Sequence, residues 1–155
     1  MKISEILTED TISLDLGAVD KNDAINKIVE LAFNSGKILD LPKVKECVFD
    51  REKLVSTGVG KNFAVPHGKS DEISDVVVSF AINKPIDFDS IDQEPVRFIF
   101  LIVGKDSMMN IHIKLLSRVS RLINKDDFRV NLLKAKDKKA VLKLFVEEEQ
   151  QYLDI

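Results

Sequence analysis

Val76-Val-Val-Ser-Phe-Ala-Ile82 and Val96-Arg-Phe-Ile-Phe-Leu-Ile-Val103 are near-continuous apolar runs, and their reading decides the fold. A strand with one face in water alternates apolar and polar residues, so runs this uniform read as central strands covered on both faces. The chain on either side of them carries helical patterns. Asp20 is a suitable N-cap with Asp23 in the first turn; Ile25, Ile28, Val29 and Ala32 recur at helical spacing, and Gly36 ends the segment. A second helix begins near Pro42, a favoured first-turn residue, and runs to about Val55. Beyond Val103 the spacing predicts helices over 110–124, 126–134 and 137–150. Short strands are expected over 11–16 and over 63–65, the second stopped by Pro66, and 83–94 reads as a hairpin-like excursion between the central strands. Strands flanked by helices from both directions of the chain predict an α/β fold, a three-layer sandwich with a central mixed sheet flanked by helices.

The chain has 155 residues, the size of one domain over 1–155, with 45% hydrophobic and 32% charged residues, enough to fill a core. A net charge of −3 argues against a nucleic-acid binder, which carries a basic excess. The Lys-rich stretch 134–139 is interrupted by an acid and reads as a solvated turn. Cys47 is the single cysteine, so no internal disulfide forms and a reducing compartment fits. Acids in the first ten residues argue against a signal peptide, and no apolar run approaches the ~20 residues that span a bilayer. A soluble, cytoplasmic protein with no direct membrane insertion is expected.

Only two histidines occur, His67 and His112. His67 stands in Phe63-Ala-Val-Pro-His-Gly68, where Pro66 holds Val65 extended and Gly68 bares the backbone beside the imidazole for a bulky group to approach. His112 opens a helix and shares a stripe with Leu115, Leu116, Val119 and Ile123, so it points inward. It is either a satisfied core histidine or a partner for an anion near the helix N-terminus. Arg51 falls in the apolar stripe marked by Val44, Cys47, Val48, Leu54 and Val55; a guanidinium there snorkels out or meets an anion. Glu52 reads as a solvated neighbour without a role. In the loop 56–61, the Thr57 hydroxyl and the N–H groups around Gly58 and Gly60 could cradle a phosphate. Phe63 excludes two nucleotide motifs, standing where both a P-loop ending at Gly68-Lys-Ser70 and a dinucleotide fingerprint over Gly58-Val-Gly60 need glycine. The two histidines are far apart and no Cys pair exists, so neither a metal nor another cofactor is expected.

The stretch Arg51-Glu-Lys-Leu-Val-Ser-Thr-Gly-Val-Gly-Lys-Asn-Phe-Ala-Val-Pro-His-Gly68 resembles the IIA component of the bacterial sugar phosphotransferase system, fructose–mannitol class. That family carries R-E, then S/T-G-[IV]-G, then A-[IV]-P-H. His112-Ile-Lys-Leu-Leu-Ser117 is similar to its second element, of H-L-x-L-L-A type, with Ile113 in place of a typical Leu. The resemblance covers nearly the whole chain and implies an α/β sandwich. It implies that His67 is phosphorylated by the carrier protein HPr and passes the group to a cysteine of a IIB component. A membrane IIC partner would then be reached through IIB. Arg51 and His112 would line the phosphohistidine site. The alternative is a regulatory module of the nitrogen-related kind, in which phosphorylation selects a binding partner and no sugar is handled.

Overall fold

The computed structural model describes residues 2–151; the ends of the domain expected over 1–155 lie outside them. The elements are α1 (Ile3–Ile6), β1 (Ile12–Ser13), α2 (Lys21–Phe33), α3 (Leu41–Leu54), β2 (Gly58–Gly60), β3 (Phe63–Ala64), β4 (His67–Lys69), β5 (Val77–Ile86), β6 (Val96–Gly104), α4 (Met109–Ile123), α5 (Asp126–Lys134) and α6 (Lys138–Gln150). The sheet runs β1-β5-β6-β3-β2, with β4 also paired to β6. It is mixed: β1 is parallel to β5, β5 antiparallel to β6, β3 and β4 parallel to β6, and β2 antiparallel to β3.

The two apolar runs are the central pair, and alternate residues feed opposite cores. Val78, Phe80, Ile82, Phe98, Phe100 and Ile102 pack with Leu115 and Val119 of α4, Phe128 of α5, and Val141 and Phe145 of α6. Val77, Ala81, Ile99, Leu101 and Val103 pack with Ile25, Ile28 and Val29 of α2 and with Val44 and Val48 of α3. Helices on both faces make the three layers predicted from the sequence. Ser79, the one polar residue of the first run, is fully buried and donates its hydroxyl to the Ile28 carbonyl at 2.8 Å, which satisfies it inside the core.

The caps follow the sequence. Asp20 accepts from the Asp23 N–H at 2.8 Å, Asp40 from the Lys43 N–H at 3.1 Å, and Asp137 from the Ala140 N–H at 2.8 Å. Gly36 closes the α2 segment at φ +76°. The short helix α1 escapes sequence periodicity because four residues are little more than one turn. It is held from afar: the buried Glu149 carboxylate of α6 accepts from the N–H groups of Ile3 at 2.7 Å and Ser4 at 2.8 Å.

Several expected boundaries shift. The strand expected over 11–16 shrinks to Ile12–Ser13, and the excursion expected from residue 83 begins later, because β5 continues through Ile86. The loop expected over 56–61 contains a strand, β2, which turns into β3 through Lys61 and Asn62, both at positive φ of 56° and 67°. Two successive left-handed residues are the tight hairpin geometry that matches strand twist. Strand pairing also resumes after Pro66 instead of stopping there. β3 pairs with Phe98 and Ile99, β4 pairs with Ile102, Val103 and Gly104, and between them the Pro66 carbonyl accepts from the Ile102 N–H at 3.1 Å. Pro66 has no N–H to contribute and so interrupts one edge line into two short strands. Among the described residues no helix is long and apolar enough to cross a membrane.

Candidate active site

His67 is the first residue of β4 and lies half-buried beside the end of β6. The extended backbone that Pro66 imposes on Val65 presents the Val65 carbonyl to the imidazole, and Nδ1 lies 2.8 Å from that oxygen. A carbonyl only accepts, so Nδ1 carries the proton and the lone pair is on Nε2. Burial lowers the His67 pKa below its ordinary value. Arg51 and Lys69 push it the same way, while the bond to Val65 and the charge of Glu52 oppose them.

His112 lies one turn into α4, 4% exposed, with Leu115, Val119, Leu122 and Ile123 on the same buried side. Its ring centroid is 5.6 Å from that of His67. Gly104, at the end of β6, makes the room: a Cβ there would stand 3.1 Å from His112 Nδ1. That buried nitrogen has no hydrogen-bond partner. Burial, then the neighbouring His67 and Lys69, lower the His112 pKa to about 4, so the imidazole is neutral at physiological pH.

Arg51 sits on the last turn of α3. The apolar stripe expected around it is shorter than the sequence suggested, because Leu54 and Val55 are 76% and 62% exposed where the helix ends. Arg51 is half-buried and donates from Nη1 to the Val55 carbonyl at 3.1 Å. Arg51, His67 and His112 line one cavity of about 400 Å³, together with Cys47, Gly68, Lys69, Met109, Ile113 and Leu116. A smaller hollow of about 120 Å³ also borders Arg51 and His67, with Thr57, Val59 and Ser120 on its wall. The large cavity has two cations and no carboxylate in its lining, so it suits an anion; Met109 and Ile113 make its exposed rim apolar. Among the described residues no three His, Cys, Asp or Glu side chains converge on a point.

In the segment 57–60 expected to cradle a phosphate, Thr57 and Gly58 engage their donors internally. Thr57 gives its N–H and its hydroxyl to Glu52, at 2.7 and 2.5 Å, and the Gly58 N–H goes to the Ser56 hydroxyl at 3.1 Å. Gly58 is required for packing instead: a Cβ there would fall 2.4 Å from Ser90 Oγ. Gly60 adopts φ +99° at the hairpin, facing Asp92. Gly68, though it lines the large cavity, also admits α3, since its missing Cβ would lie 3.3 Å from the Val48 nitrogen. The bare backbone lets α3 approach β4, which brings Arg51 alongside His67. Glu52, read as a solvated neighbour, is 7% exposed, bonded twice to Thr57 and 3.1 Å from Lys21 Nζ. Its partner Lys21 lies on another helix, so nothing in the local sequence announced it.

Comparison with known proteins reaches the same segments. The family model described as phosphoenolpyruvate-dependent sugar phosphotransferase system, EIIA 2, matches residues 5–148. The chain is 33% identical over 143 residues to the fructose-specific EIIABC component of Bacillus subtilis, covering 92% of this chain but 22% of that protein. It is 33% identical over 146 residues to the fructose-specific EIIA component of Haloferax volcanii, covering 94% of this chain and 95% of that one. The nitrogen regulatory protein IIA-Ntr of Neisseria meningitidis superposes with a TM-score of 0.86 at 28% identity, over 92% of this chain and 98% of that one. The fold is also that of the mannitol IIA enzyme of Escherichia coli solved in complex with phosphorylated IIB, at TM-score 0.78 and 22% identity over 92% of this chain and 99% of that one. With its sandwich fold, its near-complete family match and relatives of this identity over almost all its length, the chain belongs to the EIIA 2 family of the phosphoenolpyruvate-dependent sugar phosphotransferase system.

Proposed function

We propose that the chain, acting as one domain in the cytoplasm, is a phosphoryl carrier that accepts its group on His67 Nε2 from phosphorylated HPr and passes it to a IIB component for sugar uptake. The observation that carries this reading is the 2.8 Å contact of His67 Nδ1 with the Val65 carbonyl, which leaves Nε2 as the nucleophile beside a cationic cavity. In the first step the Nε2 lone pair attacks phosphorus in line; the P–N bond to HPr breaks as the P–Nε2 bond forms, and Nδ1 keeps its proton. In the second step a IIB thiolate attacks the same phosphorus and Nε2 departs with the bonding pair, restoring neutral His67. Such transfers ask the protein for position and charge placement more than for covalent help. Arg51 and Lys69 offset the phosphoryl charge. His112, neutral and with its ring 5.6 Å from that of His67, supplies one N–H donor once the dianion arrives. The apolar rim at Met109 and Ile113 is the contact surface for the carrier.

Incubation with phosphoenolpyruvate, enzyme I and HPr tests the assignment: label maps to His67 and is absent from His67→Gln. Acid-labile label persisting on that variant sinks it. The regulatory reading is supported by the high superposition on a nitrogen regulatory protein and uses the same phosphohistidine. The two readings separate on whether a matched IIB cysteine accepts the group.

A further inference from the structure

We infer that Glu52 is a positioning residue for His67, acting through the peptide groups of Thr57 and Val65; the inference rests on His67 being the phosphoryl acceptor. The connection is a set of three hydrogen bonds that holds the backbone carrying the Val65 carbonyl. His67 Nδ1–H donates to the Val65 carbonyl at 2.8 Å, the Val65 N–H donates to the Thr57 carbonyl at 2.9 Å, and the Thr57 N–H donates to Glu52 Oε2 at 2.7 Å. The N–H and the carbonyl of each residue belong to successive peptide groups, so the three bonds act by fixing the backbone at Thr57 and Val65 and tying it to a carboxylate. The carboxylate also acts on the imidazole through space, its charge opposing the effect of Arg51 and Lys69. Held in place, the Val65 oxygen keeps the proton on Nδ1 and the lone pair at Nε2.

The carboxylate is built in, not incidental. It is 7% exposed, its second oxygen accepts from the Thr57 hydroxyl at 2.5 Å, and Lys21 Nζ stands 3.1 Å away. A buried carboxylate needs such partners to remain charged. The other charged or titratable groups at His67 are Arg51, Lys69 and His112, and Glu52 is the sole acid acting on the ring among the described residues. A residue that merely stapled the 52–57 turn would need neither the charge nor the link onward to Val65.

The test is histidine 15N NMR on the unphosphorylated full chain, paired with the rate of phosphorylation by phospho-HPr. Glu52→Gln keeps one accepting oxygen and removes the charge. It lowers the His67 pKa, populates the Nε2–H tautomer, and slows phosphorylation by about ten- to a hundredfold, the usual cost of losing a group that orients a reactive side chain. Thr57→Val keeps the N–H donor and moves the same nitrogen shifts in the same direction by less; it takes over as the deciding variant where Glu52→Gln does not fold. Unchanged pKa and tautomer in the deciding folded variant overturn the inference, even where transfer is slow. Failure of HPr to label wild-type His67 defeats the carrier reading instead, and the NMR result then stands apart from it.

Discussion

Acidification should destabilise this protein through His112. The side chain is 4% exposed, its Nδ1 is unbonded, and burial beside His67 and Lys69 holds its folded pKa at about 4 against 6.5 for the free group. The folded state therefore binds fewer protons than the unfolded state between those values, and stability falls as pH drops from about 6.5 towards 4. At pH 5 roughly 97% of unfolded chains but only about 9% of folded ones carry a proton on His112. The difference costs about 2 kcal/mol relative to pH 7. Urea unfolding at pH 7 and pH 5, on wild type and on His112→Leu, isolates this share, because Leu suits the apolar stripe and does not titrate. Wild type should lose about 2 kcal/mol more than the variant over that range. Equal losses in the two proteins would refute the reasoning. The His67 pKa is also lowered and adds in the same direction in both proteins.

Arg51→Ala should reduce phosphoryl acceptance from HPr by about a hundredfold, the scale of one lost charge-stabilising donor, in single-turnover labelling. Its unfolding free energy should change by less than about 1 kcal/mol, since the residue is half-buried and gives up a single bond to the Val55 carbonyl. Gly58→Ala should cost about 2 kcal/mol in the same urea assay, because the added Cβ falls 2.4 Å from Ser90 Oγ and 2.9 Å from its Cα. Ile113→Ser, at a rim position 57% exposed, should raise the KM for phospho-HPr by about fivefold and leave kcat near wild type, as expected for lost apolar docking area.

The sheet was legible because the two apolar runs are uniform, and the helices because their stripes and caps are regular. The site's three principal side chains were legible for a different reason: histidines are scarce here, and Arg51 and His112 interrupt otherwise apolar helix faces. What could not be read locally depends on pairing between distant segments. His67-Gly-Lys69 carries no alternation, and only the far ends of β6 at Ile102–Gly104 make it a strand. Gly58-Val-Gly60 has poor strand propensity and is a strand because β3 lies beside it. Glu52 and Ser56 take the Thr57 and Gly58 N–H groups that a free loop would have offered to phosphate. Gly68 shows the ambiguity of a bare backbone position, which admits ligand or helix equally well until α3 is seen to fill it.

The clamp of Glu149 on Ile3 and Ser4 joins positions 146 and 145 residues apart. On the ribosome, the first turn of helix is therefore made long before its acceptor exists and can dock only after residue 149 has emerged. The same bonds set a boundary for protein engineering. A truncation that stops after residue 149 leaves the amino-terminal turn anchored, whereas one that removes Glu149 releases the buried Ile3 N–H and the partly buried Ser4 N–H at the other end of the domain.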